Sequence, residues 1–207
     1  MRVIETDLDV AEGAAWLGQR EPKFAEALAR VGPLPLRRRP DGFAGLMDII
    51  LGQQVSTASA LALRKRLQAA GLFDQAAVRV ADDAALRAVG LSKPKARYAR
   101  HLAQAELDFD ALRAMPDDAV FEQLTALTGV GPWTAQIYLM FCLGRADAFA
   151  PGDLALQVAA QALFDLPERP TPTQLDKMAE AWSPWRSVAA RALFAYYRLV
   201  KAREGLT

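Results

Sequence analysis

The chain has 207 residues, enough for one large domain or two small lobes, and 52% of them are apolar. Twenty-five basic residues against 24 acidic ones leave a net charge of +1, short of the strongly basic balance of many nucleic-acid binders. One cysteine, Cys142, and one histidine, His101, argue against an internal disulfide, a cysteine-rich zinc site, a four-cysteine iron–sulfur cluster, a histidine-based triad and a metal hydrolase.

Ala, Leu, Arg, Gln and Glu dominate while β-branched runs are rare, so the fold class is all-α. The segment 31–40, with three prolines and Arg37-Arg38-Arg39, reads as a linker. Phe43, Leu46, Met47, Ile50 and Leu51 share one face of a helix over 43–51. Ser56 is placed to cap 57–70, Asp82 to cap 83–89 and Ser92 to cap 93–106, with Pro94 in the first turn. Further helices are expected at 117–126, 132–143, 153–164 and 173–181, and a last one at 184–203 beginning on Pro184. About ten short helices with tight Gly/Pro turns give one helical unit over 1–207. The expected refinement is two lobes, 43–144 and 1–42 plus 145–207, with a cleft between them. The apolar runs are too short and interrupted to cross a membrane, the start has no signal-peptide core, and the expected location is the cytosol.

The most informative stretch is Leu127 to Asp153. Helix 117–126, the turn Thr128-Gly129-Val130-Gly131 and helix 132–143 form a helix-hairpin-helix. Its glycines admit unusual φ values and leave room for a sugar-phosphate backbone. N–H groups around Gly129, Gly131 and Thr134 are placed to meet phosphate, with modest help from the helix dipole. An ordinary αα turn is the competing reading. Asp153 stands at the start of the next helix, either as a cap or as a rigidly held carboxylate, and the two are compatible. Trp133 reads as a core tryptophan or as a wall against an extruded base. Gln53, Gln54 and Ser56 end an apolar helix, either as a polar terminus or as a tip entering a duplex. Trp182 and Trp185 read as packing residues. Lys93, Lys95, Arg97, Arg100 and His101 form a basic cluster that is a solvated face or faces phosphate.

Five segments in this order resemble the helix-hairpin-helix DNA glycosylases, and within them the DNA-3-methyladenine glycosylase II branch. They are Ile49 to Ser56, Gly90-Leu91-Ser92 with Lys95 and Tyr98, Leu127 to Ala135, Phe149 to Leu156, and Trp182 to Ser187. The resemblance covers about residues 40 to 200. It implies a monofunctional glycosylase that flips alkylated bases out of duplex DNA and hydrolyses the N-glycosidic bond, with Asp153 in the catalytic aspartate's place. In lyase-competent relatives a lysine occupies the position of Trp133, and tryptophan cannot form a Schiff base. By position the base pocket includes Trp133, Ile137, Leu154 and Phe194, fewer rings than matching pockets often carry. Gln54 stands where an apolar wedge is expected. Val130 joins Gln53, Gln54, Ser56, Gly129, Gly131 and Thr134 among the DNA-binding positions. The resemblance further implies a structural monovalent cation held by the carbonyls of Thr125, Leu127 and Val130, and no cofactor for catalysis; the single cysteine argues against an iron–sulfur cluster. Members of this branch often begin with an added N-terminal β domain, which is not expected in a chain this short, and a monomer is expected. Two alternatives remain open: a non-catalytic helix-hairpin-helix DNA-binding module and a helical protein-interaction domain.

Overall fold

The computed structural model describes residues 2–203 and Gly205. Among the described residues there is no strand, and the sole isolated bridge is the antiparallel pair Val3 and Arg145. The chain divides into two compact units, Met1–Arg38 with Gly144–Thr207, and Arg39–Leu143. Each carries its own core.

The Arg39–Leu143 unit contains α3 (Gly42–Gly52), α4 (Thr57–Ala69), α5 (Gln75–Val80), α6 (Asp83–Ala88), α7 (Lys93–Gln104), α8 (Phe109–Ala114), α9 (Asp117–Thr125) and α10 (Pro132–Ile137). Helix α3 is its spine. Phe43, Leu46, Met47, Ile49, Ile50 and Leu51 are all buried, so α3 is apolar around most of its circumference, as a helix wrapped by others must be. Emptying one such position, for example Leu46→Ala, costs about 2–5 kcal/mol. Ser56, Asp82 and Ser92 cap α4, α6 and α7 through bonds to Ser59, Ala85 and Lys95 N–H, as the sequence predicts. Lys95 lies buried with its ammonium donating to the Leu51 carbonyl at 2.5 Å, which joins α7 to the last turn of α3. Loss of hydration there pulls the Lys95 pKa below the usual lysine value.

The predicted helix 132–143 is two structures. Helix α10 stops at Ile137 and a π-helical turn, Tyr138–Cys142, follows. All five side chains of the turn are buried. The Tyr138 hydroxyl accepts a bond from Gly42 N–H at 2.9 Å. Burial pushes the Tyr138 phenol well above its usual pKa.

The other unit contains α1 (Asp7–Arg20), α2 (Pro22–Val31), α11 (Leu154–Leu163), α12 (Pro172–Ala179) and α13 (Arg186–Arg203), with a 3-10 turn Glu180–Trp182 after α12. Helices α1, α2 and α11 pack against α13, whose Val188, Ala189, Ala190, Ala192 and Leu193 are buried. Trp182 meets Phe24 and Phe149 edge-on, with ring centres 5.2 and 5.6 Å apart, and stacks on Phe164 at 5.9 Å. Helix α13 begins at Arg186, two residues later than predicted. The chain is still turning through Pro184, because Trp185 N–H donates to the Trp182 carbonyl at 2.8 Å. The 31–40 segment is non-helical from Gly32 on but is anchored: Leu34 is buried, and the Leu36 carbonyl accepts two bonds from Arg191.

Candidate active site

Helix α9 ends at Thr125, and residues 127–131 turn the chain into α10. Val130 N–H donates to the Leu127 carbonyl at 3.1 Å and closes the turn. Gly129 has φ of +91°, and a Cβ placed there would overlap the Tyr98 ring of α7. The glycine is therefore required twice, by its backbone and by its neighbour. Gly131 differs from expectation. Its φ is −91° and ψ is 178°, an extended conformation open to any residue. It is exposed, and a Cβ there would meet nothing within 4 Å. The free space in front of it, rather than an unusual φ, is what a ligand backbone can use.

Gln53 is drawn into the hairpin. Its amide donates to the Gly129 carbonyl and to Thr134 Oγ1, each at 2.9 Å. Thr134 is 2% exposed, so its hydroxyl serves the turn from inside. Ala135 N–H makes the first internal bond of α10, to the Gly131 carbonyl at 3.1 Å. The Thr134 N–H lies ahead of that bond and has no acceptor within the helix, which leaves the positive end of α10 at the turn. Trp133 is half-buried and Ile137 buried, four residues apart on one face of α10. Gln54 is exposed with φ of +57°, next to exposed Val55, while Ser56 Oγ accepts from Ser59 N–H at 3.2 Å.

Asp153 lies in the other unit, as the N-cap of α11 rather than its first helical residue. Its Oδ1 accepts from Ala155 N–H at 2.9 Å and Leu156 N–H at 3.3 Å. The turn before it is braced twice. Asp153 N–H donates to the Ala150 carbonyl at 3.0 Å, and the buried Gln157 amide donates to the Pro151 carbonyl at 2.9 Å. The carboxylate is thus fixed at the positive end of a ten-residue helix while remaining partly exposed. Leu154 projects outward at 56% exposure, and Phe194 of α13 is half-buried. Arg37 lies over the Phe194 ring at 5.0 Å. Arg191, one turn earlier, is 1% exposed and donates to the Leu36 carbonyl, the Ser187 carbonyl and Ser187 Oγ. Burial, then the charges of Arg37 and Arg38, push Arg191 down to about 9. It stays protonated at neutral pH.

The structure thus gathers Gln53, Gly129, Val130, Gly131, Trp133, Thr134, Ile137 and the Thr125 and Leu127 backbone in one unit, and Asp153, Leu154 and Phe194 in the other. Two supports have no role in the sequence reading. Tyr98 sits under Gly129, and Gln157 holds the turn before Asp153. Gln157 leaves a signal, an amide four residues beyond Asp153 on a helix whose one other polar residue is Gln161; Tyr98 belongs to one of the segments that carry the resemblance, but its contact with Gly129 is tertiary and not readable there. Among the described residues no group of three or more His, Cys, Asp or Glu side chains is placed to hold a metal ion.

The sequence profile of the HhH-GPD superfamily of base excision DNA repair proteins matches residues 47–185, a span that holds the hairpin, Asp153 and both buried tryptophans. A Bacillus subtilis protein named putative DNA-3-methyladenine glycosylase YfjP is 34% identical over 113 residues, 53% of this chain and 39% of its own length. The chain therefore spans well under half of that relative. The crystal structure of a Bacillus halodurans DNA-3-methyladenine glycosidase superposes with a TM-score of 0.78 at 31% identity, over 98% of this chain and 95% of that one. A Schizosaccharomyces pombe 3-methyladenine DNA glycosylase, Mag1, solved in complex with abasic DNA, gives a TM-score of 0.79 at 25% identity over 88% and 95%. With a profile match over more than half its length and an all-helical fold shared nearly end to end with two solved relatives, the chain belongs to the HhH-GPD superfamily of base excision DNA repair proteins.

Proposed function

We propose that this protein is a monofunctional DNA glycosylase that removes alkylated bases from duplex DNA. The observation that carries the reading is Asp153: a partly exposed carboxylate, locked at a helix start by two N–H bonds, in a member of a base excision repair family. The relatives named as 3-methyladenine glycosylases supply the substrate class.

In this reading the damaged nucleotide is extruded at a cost of a few kcal/mol, least where alkylation has already weakened the pair. Trp133 and Ile137, one turn apart on α10, wall the base pocket. Many alkylated bases are cationic and leave readily. The C1′–N bond breaks with its electron pair going to the base, and the sugar becomes an oxocarbenium ion. Asp153 stabilises that cation and orients the water that adds at C1′, whose proton leaves to solvent. One well-placed charged group supplies about 3–4 kcal/mol of such stabilisation. The hairpin amides and the 53–56 turn hold the phosphate backbone and the duplex. Gln53 acts there indirectly, through its bonds to Gly129 and Thr134.

The resemblance also implies a structural cation at the hairpin, and the residues present fit one. The Thr125 carbonyl stands at the end of α9, where orphan carbonyls and the negative helix pole gather, the Leu127 and Val130 carbonyls follow in the turn, the former also accepting from Val130 N–H, and oxygen donors suit a hard cation. Such an ion would add positive charge beside a phosphate. The chain acts on double-stranded DNA as a monomer.

The test is Asp153→Asn. Asparagine caps helices as well as aspartate, so α11 should persist. Release of alkylated base from a defined duplex should fall by two orders of magnitude or more, with duplex affinity near wild type. Excision above a tenth of the wild-type rate, a deficit under about 1.4 kcal/mol, would reject the catalytic role and favour a non-catalytic DNA-binding module.

A further inference from the structure

Helix α7 carries a basic stripe that the active site does not use. Lys93, Arg97 and His101 follow one another at four-residue intervals, so they stand on one face with neighbouring Cβ atoms roughly 6 Å apart. All three are exposed. With Arg100, Gln104 and Asp83 they line a surface cavity of about 340 Å³. Asp83 pairs with Arg100 at 2.7 Å, and Arg100 also donates to the Ala81 carbonyl at 3.2 Å. That carboxylate is therefore matched by one cation, and the positive charge of Lys93 and Arg97 is left facing solvent. In a chain with a net charge of +1, such a local excess is a directed feature rather than a share of a general surplus.

The stripe is also placed. Tyr98, the residue after Arg97, is the ring that fills the space beneath Gly129, so α7 abuts the hairpin turn directly. The Arg97 guanidinium lies 5.5 Å from the centre of that ring. The helix that supports the hairpin thus carries both cations one turn apart in the same compact unit, with Arg97 beside the ring that touches the turn.

We propose that Lys93 and Arg97 form a second phosphate-binding surface, continuous with the hairpin, that holds duplex DNA irrespective of damage. The occupant is the phosphate backbone of a duplex, argued from charge and from continuity with the hairpin. The proposal rests on the reading of this chain as a DNA-binding repair enzyme and extends its footprint beyond the hairpin. Interactions of this type position the protein without reading sequence.

The experiment uses the full chain and an undamaged duplex, with affinity measured by fluorescence anisotropy across a salt series. Each phosphate that a variant no longer neutralises lowers the slope of log affinity against log salt by about 0.9. The double variant Lys93→Ala/Arg97→Ala should lower it by roughly 1.8 and weaken damaged and undamaged duplexes equally. Single-turnover excision at saturating enzyme should stay at the wild-type rate. The charge-matched control Arg169→Ala/Lys177→Ala, two exposed cations of the other unit, should leave the slope unchanged. An unchanged slope in the α7 variant, or an equal drop in the control, overturns the proposal while DNA binding by the wild type stands. Absence of salt-sensitive binding by the wild type would instead remove the DNA-binding reading itself. Circular dichroism confirms folding, which exposed substitutions on one helix face should not disturb.

Discussion

Gly129 and Gly131 look alike in the sequence and differ in what they do. Gly129 combines φ of +91° with the Tyr98 ring against its Cα, so Gly129→Ala must strain the backbone and displace an aromatic ring at once. Left-handed strain and overpacking each cost about 1–3 kcal/mol. The expected outcome is a clear fall in the thermal midpoint, with DNA affinity lost as a consequence. Gly131→Val adds its side chain to open space at an extended φ. Its stability should stay within about 0.5 kcal/mol of wild type, the range of ordinary surface changes. Affinity for damaged and undamaged duplexes should fall together if the phosphate backbone approaches there, as proposed, because the new methyl groups fill that space. A folded Gly131→Val protein with unchanged affinity would show that the hairpin does not grip DNA. Calorimetry and duplex titration of the two variants separate the roles.

Helix α7 meets α3 through Lys95, and that contact makes stability depend on pH. The fold lowers the Lys95 pKa through desolvation, so in the window between the folded value and the unfolded value of about 10.4 the unfolded chain binds more protons. Stability therefore rises with pH across that window, and the penalty for the buried charge is fully present below it. Lys95→Met removes the titration, so the wild type should gain stability relative to this variant as pH rises toward about 10.4. Parallel curves in urea melts over that range would reject the assignment. The same helix shows what the sequence discloses. Ser56, Asp82 and Ser92 are legible as caps because a cap needs only a side-chain oxygen and an amide two or three residues on. The six-residue helices α5 and α8 are too short to show a period, and the sequence places no bounds on them. The π-helical turn is set by the packing of Tyr138–Cys142, and the late start of α13 by a turn through Trp182 and Trp185. The positions of the hairpin and of Asp153 along the chain are readable from residue order. Their supports, Gln53 on Gly129 and Tyr98 beneath it, join residues far apart in sequence and are not.

The proposed grip and the proposed chemistry belong to different compact units, the hairpin to Arg39–Leu143 and Asp153 to the other. If the hairpin only binds and Asp153 only stabilises the sugar cation, their substitutions act on separate steps. Gly131→Val should raise the enzyme concentration needed for half-maximal single-turnover excision and leave the saturating rate alone. Asp153→Asn should lower the saturating rate by two orders of magnitude or more and leave half-saturation alone. The double variant should then show both defects, with free energies that add within about 0.5 kcal/mol, the usual tolerance for independent sites. The product supplies a second reading of the same division. With tryptophan at position 133, where the resemblance puts the attacking lysine of lyase-competent relatives, the strand should stay intact at the abasic site until alkali or heat is applied, in the wild type and in Gly131→Val alike. Borohydride should trap no covalent adduct from either. A trapped adduct would mean that a lysine reaches the sugar, and the hydrolytic role of Asp153 would have to be shared. A double variant whose saturating rate recovers or collapses by more than tenfold from the product of the singles, about 1.4 kcal/mol, would show instead that the hairpin sets the geometry at C1′ as well as the grip.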